Sequence, residues 1–441
     1  MKTKIPIICF ILTLLGGVLH AQEKEIYTLE EAIKTALDNN LSVQRSSYDT
    51  QLFEEKVTEV RRSALPQVSL SASHNYYFEL PTQVAPAGVF GGSETGASYL
   101  PLQLGVPNQT NLNLQLQQVI FNPELYVGIQ AAKTGREISE IQLKKTKEDL
   151  VYDLSVMYYN SQAVFTQISL LKENLTSLHE LIRVTQLLEE AGLAKETDIG
   201  RIKLNQSNLE NNIVNQQIVY DQQLNTLKLL LNLPAEASFQ IDTLIDVESN
   251  EFYAVTEEGV RTELQLLDKQ EKVNQLEQKQ IRSRYLPTLY AVGSYGQAGF
   301  GDFSADYYEF FPSSYVGVQL SMPLFDGFIK RSQSVQKDIE HKQLQADIEL
   351  TRRSIKNELT NATAKFNVQK NEVQVQKEAL ALAQNVYDNI NLQFREGTVG
   401  VQEVIESENE LRRTQTDYLN AWIRLRLAEL DLAKAKGVLL D

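Results

Sequence analysis

Cysteine is almost absent from this chain. Of 441 residues only Cys9 carries a thiol, and it lies in an N-terminal apolar run, so the chain beyond that run has no disulfide, thiolate nucleophile or cysteine metal ligand. Ile8 stands directly before Cys9, where a lipid-attachment site wants a small residue, so lipidation is not expected. Past residue 21 no stretch approaches 18 consecutive apolar residues, and any membrane crossing must therefore use strands. No nucleotide-binding Gly-Lys motif occurs, nor a nucleophile–base or metal-ligand constellation. His74, His179 and His341 are scattered without zinc-like spacing. The expectation is a protein that is not an enzyme, with no catalytic residue, no metal and no cofactor. Positive charge is also short: 42 Lys and Arg stand against 57 Asp and Glu, and a net charge of -15 disfavours nucleic acid and anionic headgroups as partners. An ordinary solvated surface would account for the same balance.

What is present begins at the N-terminus. Lys2 and Lys4 precede the apolar residues 5–19, and His20, Ala21 and Gln22 follow, which reads as a signal peptide over 1–21, cleaved after Ala21. A first transmembrane helix is the alternative, but the run is shorter than the roughly 20 residues that a span needs.

Residues 22–233 read as one structural unit. Thr28 with Glu31 forms a capping box that opens a helix over 27–65, closed by Pro66. Two alternating stretches follow, strands at about 66–80 and 109–121. In the first, Val68, Leu70, Ala72, Tyr76, Phe78 and Leu80 oppose serines and Asn75. In the second, Leu112, Leu114, Leu116 and Ile120 oppose Asn111, Asn113, Gln115 and Gln117. Each is about as long as a tilted membrane strand. A Gly, Pro and Ser-rich loop over 81–107 separates them, and Tyr99 with Tyr76 to Phe78 suits an interfacial aromatic girdle. No proline then intervenes between Pro123 and Pro234, and Val164, Ile168, Leu171, Leu175, Leu178 and Ile182 keep coiled-coil spacing. A helix over 123–190 would run roughly 100 Å at 1.5 Å per residue. It reverses near Gly192, the tip spanning 191–198, and a return helix follows.

After a connecting segment over 234–255, residues 256–441 repeat the plan. Leu65-Pro66 recurs as Leu286-Pro287, Phe121 as Phe325 and Gly192 as Gly397. Strands are expected at about 287–300 and 315–325, the latter alternating Val316, Val318, Leu320, Met322 and Leu324; a second helical hairpin turns near 396–403. Tyr307, Tyr308, Phe310 and Phe311 fall in the second inter-strand loop, at the external mouth or in the lipid interface. The simplest account is an internal duplication.

Four strands cannot close around a wide pore, and their edges cannot be satisfied by lipid, so the chain must oligomerise. Three copies supply twelve strands, enough for a water-filled lumen. The fold class expected is an α+β membrane protein made of a duplicated helix, strand, strand and long helical hairpin. As a trimer it forms a 12-stranded outer-membrane β-barrel continued by a periplasmic α-helical barrel.

The chain resembles the TolC-type outer-membrane efflux proteins over essentially its whole mature length. The residues that carry the resemblance are Thr28-Leu29-Glu30-Glu31-Ala32, the two Leu-Pro pairs, and two tips. The first tip runs from Ala191 through Gly192, Leu193, Ala194, Lys195, Glu196, Thr197 and Asp198 to Ile199; the second runs from Glu396 through Gly397, Thr398, Val399 and Gly400 to Glu406. The resemblance implies a homotrimer in the outer membrane of a Gram-negative bacterium, in contact with outer-membrane lipid and extending into the periplasm. It would pass small molecules outward from an inner-membrane pump through a periplasmic adaptor, or membrane fusion protein. Metal-ion efflux and type I protein secretion share the architecture. A structural periplasmic coiled-coil spacer is the reading from another class, although it would not need paired strands.

The resemblance also implies site roles. Gly192, Leu193, Gly397, Thr398 and Val399 would face the adaptor, the glycines being natural turn residues because they accept a left-handed backbone. Asp198 falls on an aspartate of the family's closed-state polar network, and Glu403 and Glu406 on two luminal acidic positions. An ordinary solvated helix start would also suit those glutamates. Phe394 and Val399 stand where the family has a gate tyrosine and arginine, so the same bonds cannot form; Lys195 and Arg395 are the nearby cations to substitute.

Overall fold

The computed structural model describes residues 25–86, 99–243 and 259–440. The signal segment with Cys9, loop residues 87–98, residues 244–255 of the connecting segment and 256–258 at the start of the second repeat lie outside the described residues. The chain divides into two compact units. A helical unit comprises Met1–Leu41, Lys147–Glu258 and Thr360–Asp441; a strand unit comprises Ser42–Thr146 and Gly259–Leu359.

Where one helix is expected over 27–65 there are three elements: β1 (Glu25–Tyr27), α1 (Leu29–Asn39) and α2 (Leu41–Arg62). The capping box forms as expected, with the Thr28 amide donating to Glu31 at 3.0 Å and the Glu31 amide to the Thr28 hydroxyl at 3.3 Å. The break comes at Asn40. Its backbone is extended (φ -64°, ψ 129°), and its side-chain amide donates to the Leu230 carbonyl at 2.8 Å. Asparagine competes with helix by making such bonds from non-helical conformations.

The strand unit is built on β2 (Gln67–Tyr76), β5 (Asn108–Phe121), β7 (Thr288–Asp302) and β8 (Tyr307–Ser321), with β3 (Thr82–Pro86) paired to β4 (Tyr99–Gln103). The main sheet is antiparallel throughout, in the order β2-β5-β7-β8, so the two halves of the duplication meet at the central β5–β7 ladder. The register places Val68, Leu116, Gly293 and Val316 in one row, and Leu70, Leu114, Tyr295 and Ser314 in the next. That face is largely apolar. The other carries Ser69, Ser71, Gln115, Asn113, Ser294 and Tyr315, with Ser294 and Asn113 bonded at 2.5 Å.

Four strand bounds differ from expectation. β2 stops at Tyr76 rather than about 80, because Tyr77 already donates to Pro107 across the loop. The first loop is not irregular throughout, since it holds the β3–β4 ladder. In the second half, β8 begins at Tyr307 rather than about 315 and ends at Ser321 rather than about 325; β7 reaches Asp302 rather than about 300. Tyr307, Tyr308, Phe310 and Phe311 are therefore strand residues. The turn between β7 and β8 is a short 3-10 segment, Phe303–Ala305, capped by Asp302 accepting from Ser304 at 2.9 Å, with Asp306 left-handed (φ 51°). Glycine makes this pairing possible. A Cβ at Gly299 would lie 2.8 Å from the Phe310 ring, and one at Gly301 would collide with Tyr308.

Helices α2 from Ser42 on, α5 (Thr262–Ser283), the first part of α3 (Pro123–Glu190) and the first part of α6 (Ile329–Arg395) complete this unit. Ion pairs Lys269–Glu137 (3.0 Å), Arg284–Glu124 (2.9 Å) and Lys337–Glu277 (2.8 Å) tie α5 to α3 and α6. α6 starts only at Ile329, because Gly327 (φ 65°) and Phe328 (φ 66°) are both left-handed.

In the helical unit β1 pairs in parallel with β6 (Phe239–Ile241), and the Tyr158 hydroxyl donates to the Tyr27 carbonyl at 2.9 Å. The second part of α3, α4 (Glu196–Leu230), the second part of α6 and α7 (Val401–Lys436) pack along rows such as Leu178, Ile202 and Leu209, all fully buried. Trp422 is buried edge-on against Tyr159.

The glycine-floored strand pair makes a testable difference. Gly299→Val is expected to lower the thermal midpoint, overpacking of this kind costing about 1–3 kcal/mol. Gly293→Ala should leave it unchanged, because the added Cβ meets Leu116 at 3.8 Å. Melting curves followed by circular dichroism compare the two.

Candidate functional site: the helical hairpin tips

Both hairpins turn by the same backbone device. In the first, Gly192 (φ 74°) donates to the Glu189 carbonyl at 2.8 Å and Leu193 to the Leu188 carbonyl at 2.7 Å. In the second, Gly397 (φ 74°) donates to Phe394 and Thr398 to Gln393, each at 3.0 Å. These are paired Schellman motifs, which satisfy the last carbonyls of α3 and α6 and need a residue without Cβ at the left-handed position. The Thr398 hydroxyl adds a bond to the Gln393 carbonyl at 2.9 Å. Nothing lies within 4 Å of a Cβ built on either glycine, and Leu193 is 77% exposed. Gly192, Leu193, Gly397 and Thr398 thus form a bare end, with Val399 partly packed inward.

Behind the tips the hairpins share a core of Leu171, Leu178, Leu181, Ile202, Leu209, Phe394, Val401 and Val404. Phe394, expected among the gate and lumen residues, is only 4% exposed and serves as an anchor of this core. Beside it a cavity of about 250 Å³ is lined by Ser177, Glu180, Tyr387, Asn391, Phe394 and Arg395 among others. Arg183 grips Glu180 in two bonds of 2.9 and 2.6 Å, and with Arg395 nearby this holds the Glu180 carboxyl below its ordinary range.

The charged residues of the tips have separate surroundings. Asp198 accepts from the backbone amide of Lys195 at 3.3 Å, capping α4. Lys195, Arg395, Glu403 and Glu406 are exposed. Glu403 folds back so that its carboxylate would lie 3.1 Å from a Cβ on Gly400. Glu406 accepts from Gln402 at 2.8 Å, and Gln402 accepts from Arg201 at 3.0 Å, joining α7 to α4. Registering the tips on Gly192 and Gly397 sets Asp198 against Glu403 and Arg201 against Glu406. Gln402 thus links Glu406 to Arg201, a residue that the sequence reading passed over although the internal repeat aligns it with Glu406.

Another missed residue is Glu408, on α7. It is 2% exposed, and one carboxylate oxygen has no hydrogen-bond partner among the described residues. Burial pushes its pKa up to about 7, against a smaller opposite pull from Arg412 one turn on; Tyr387 of α6 faces it. Its only sequence signal was a glutamate in register with Val401, Val404 and Leu411 on the buried stripe of α7.

A family profile described as "Outer membrane efflux protein" matches residues 32–233 and 273–438. The chain belongs to that family. Among curated relatives, the outer membrane protein TolC of Escherichia coli K12 is 21% identical over 426 residues, covering 93% of this chain and 82% of TolC. The proteases secretion protein PrtF of Dickeya chrysanthemi is 22% identical over 444 residues, covering 97% of this chain and 92% of PrtF. Among solved structures, VceC of Vibrio cholerae superposes with a TM-score of 0.74 at 14% identity, covering 93% of this chain and 96% of that one. The CmeC outer membrane channel of Campylobacter jejuni gives 0.73 at 16% identity, covering 93% and 85%. These similarities show a shared fold.

Like the rest of its family, this outer-membrane efflux protein is a channel component. No helix among the described residues is long and apolar enough to cross a membrane. No group of three or more His, Cys, Asp or Glu able to hold a metal occurs among them either.

Glu408 gives this efflux protein a pH-dependent stability. Its folded pKa is raised from 4.5 to about 7, so its favourable contribution is present in full below about pH 4.5 and is lost as pH rises through about 7. Glu408→Gln is expected to match the wild type near pH 4.5 and to exceed it at pH 8 by a figure on the order of 3 kcal/mol. Chemical denaturation at the two pH values measures the difference.

Proposed function

We propose that three copies of this chain assemble into a passive outer-membrane exit duct, gated at the hairpin tips. The observation that carries the reading is the sheet. One face is largely apolar and exposed, with Val316 at 92% and Leu70 at 66%, and the other is lined by hydroxyls and amides. β2 and β8 leave both edges of the sheet unpaired among the described residues, and in lipid each unpaired backbone group costs several kcal/mol. β2 and β8 run in opposite directions, so β8 of one copy can pair antiparallel with β2 of the next. Two copies would give eight strands, whose interior side chains fill; three give twelve and a watery lumen.

In this reading small molecules, drugs and toxic compounds among them, pass from an inner-membrane pump and a periplasmic adaptor to the exterior. Gly192, Leu193, Gly397, Thr398 and Val399 meet the adaptor, which the bare glycine turns and exposed Leu193 support. Glu403 and Glu406, repeated threefold, make acidic rings that favour cations. Asp198, Lys195 and Arg395 close the tip through a polar network rearranged around the buried Phe394. A second reading, type I protein secretion, is supported by the names of PrtF and of the alkaline protease secretion protein AprF of Pseudomonas aeruginosa.

Two measurements test the duct. The protein is expected in outer-membrane fractions as a heat-modifiable trimer, and a soluble periplasmic monomer would refute it. In planar bilayers E403Q/E406Q should lose most of the cation preference, and Asp198→Ala should raise conductance; unchanged values in both variants would remove the gate assignment.

A further inference from the structure

The strand unit has a charge asymmetry that the duct reading does not use. Residues 63–122 and 285–329 contain no Lys or Arg. At the turn end of the sheet the described charges are all acidic: Glu79, Asp302, Asp306 and Glu309. The other end, where Gln67, Phe121, Thr288 and Ser321 terminate the strands, is flanked by six cations. Arg61 and Arg62 close α2, Arg282 and Arg284 lie at the end of α5, and Lys330 and Arg331 open α6. Arg284 is held by Glu124 at 2.9 Å; Lys330 is held by Asp326 at 3.5 Å and sits over the Tyr285 ring at 4.8 Å. Arg61, Arg62, Arg282 and Arg331 are exposed, without an ion pair among the described residues.

Helix dipoles account for part of this, since cations suit the C-termini of α2 and α5. They do not account for Arg331. It stands in the first turn of α6, which has no acidic residue, where a cation opposes the dipole. A second observation lies beside it. Phe328 adopts φ 66°, a strained conformation for a bulky residue, yet its ring is 62% exposed and touches Phe325 edge-on at 5.5 Å. Leu320, Met322 and Leu324 link these rings to the apolar face of β8, and all are exposed. An aromatic pair at the rim of an apolar band, next to unpaired guanidinium groups, has the chemistry of a membrane interface.

We propose that this end of the sheet is a phospholipid-binding collar. Arg61, Arg62, Arg282 and Arg331 bind headgroup phosphates of the inner leaflet, and Phe325 and Phe328 seat at the boundary between headgroup and acyl chain. The assignment rests on the duct reading, which puts the sheet in the membrane. Guanidinium matches phosphate with paired hydrogen bonds, and the chain's overall negative charge makes this local excess stand out.

Native mass spectrometry of the full-length protein in detergent tests it, with dioleoylphosphatidylglycerol, dioleoylglycerol and inorganic phosphate as probes. The wild type should retain phosphatidylglycerol over the phosphate-free lipid, and R61Q/R62Q/R282Q/R331Q should lose roughly tenfold of that retention. The corresponding fourfold Lys variant should keep most of it. Arg331→Gln alone should lower retention about threefold while raising the thermal midpoint, because it relieves the dipole; a merely structural arginine would not do both. That single variant carries the test if the fourfold Gln protein does not assemble. Equal retention of both lipids, or retention indifferent to the arginines, overturns the collar. So does loss of the lipid to equimolar inorganic phosphate, which would make the site one for a free anion. Bilayer recordings on the same preparations separate the two levels. A conducting wild type whose lipid retention ignores the arginines refutes the collar alone, whereas a wild type that neither inserts nor conducts refutes the duct beneath it.

Discussion

Backbone hydrogen bonding at the two outer strands governs this molecule. β2 and β8 each present a row of amides and carbonyls with no strand partner among the described residues, next to a face of exposed valine and leucine. Water could solvate the edges but not the apolar face; lipid could cover the face but not the edges. The closure with further copies proposed above would satisfy both. The duplication leads to this outcome because each half contributes one hairpin, and the β5–β7 ladder that fuses them still leaves an open sheet.

The helical unit answers a different demand. Its hairpins must end abruptly, and both do so with a glycine in the left-handed region and the same pair of amide bonds. Beyond that shared turn they diverge. Asp198 and Arg201 occupy the positions that Glu403 and Glu406 hold on the other hairpin, so the first tip is locally balanced and the second is acidic. The link from Arg201 through Gln402 to Glu406 uses that difference to join the hairpins. A duplication with identical tips would have set like charges against each other there.

The long features were legible in the sequence because their determinants are local. α3 spans Pro123–Glu190 as read, fixed by a proline at its start and a glycine turn at its end. The alternation in β2 and β5 gave the right faces, and their apolar rows coincide in the observed register. What was missed depends on partners distant in the chain. The break at Asn40 needs the Leu230 carbonyl, and the early start of β8 needs glycines on β7 to receive its rings. A Gly-rich, aromatic stretch has loop composition when read alone. Glu408 shows in the sequence only as a glutamate on the buried stripe of α7, which does not reveal that Tyr387 of α6 will face it, and the place of Phe394 in the sequence does not reveal its burial.

The rings of Phe310 and Tyr308 lie in space that Gly299 and Gly301 leave vacant. These positions are therefore not free to vary singly. Any side chain acquired on β7 must be preceded or matched by a smaller residue on β8, so the two strands can drift through evolution only as complementary pairs. Among relatives of this chain, those four positions should change together or not at all.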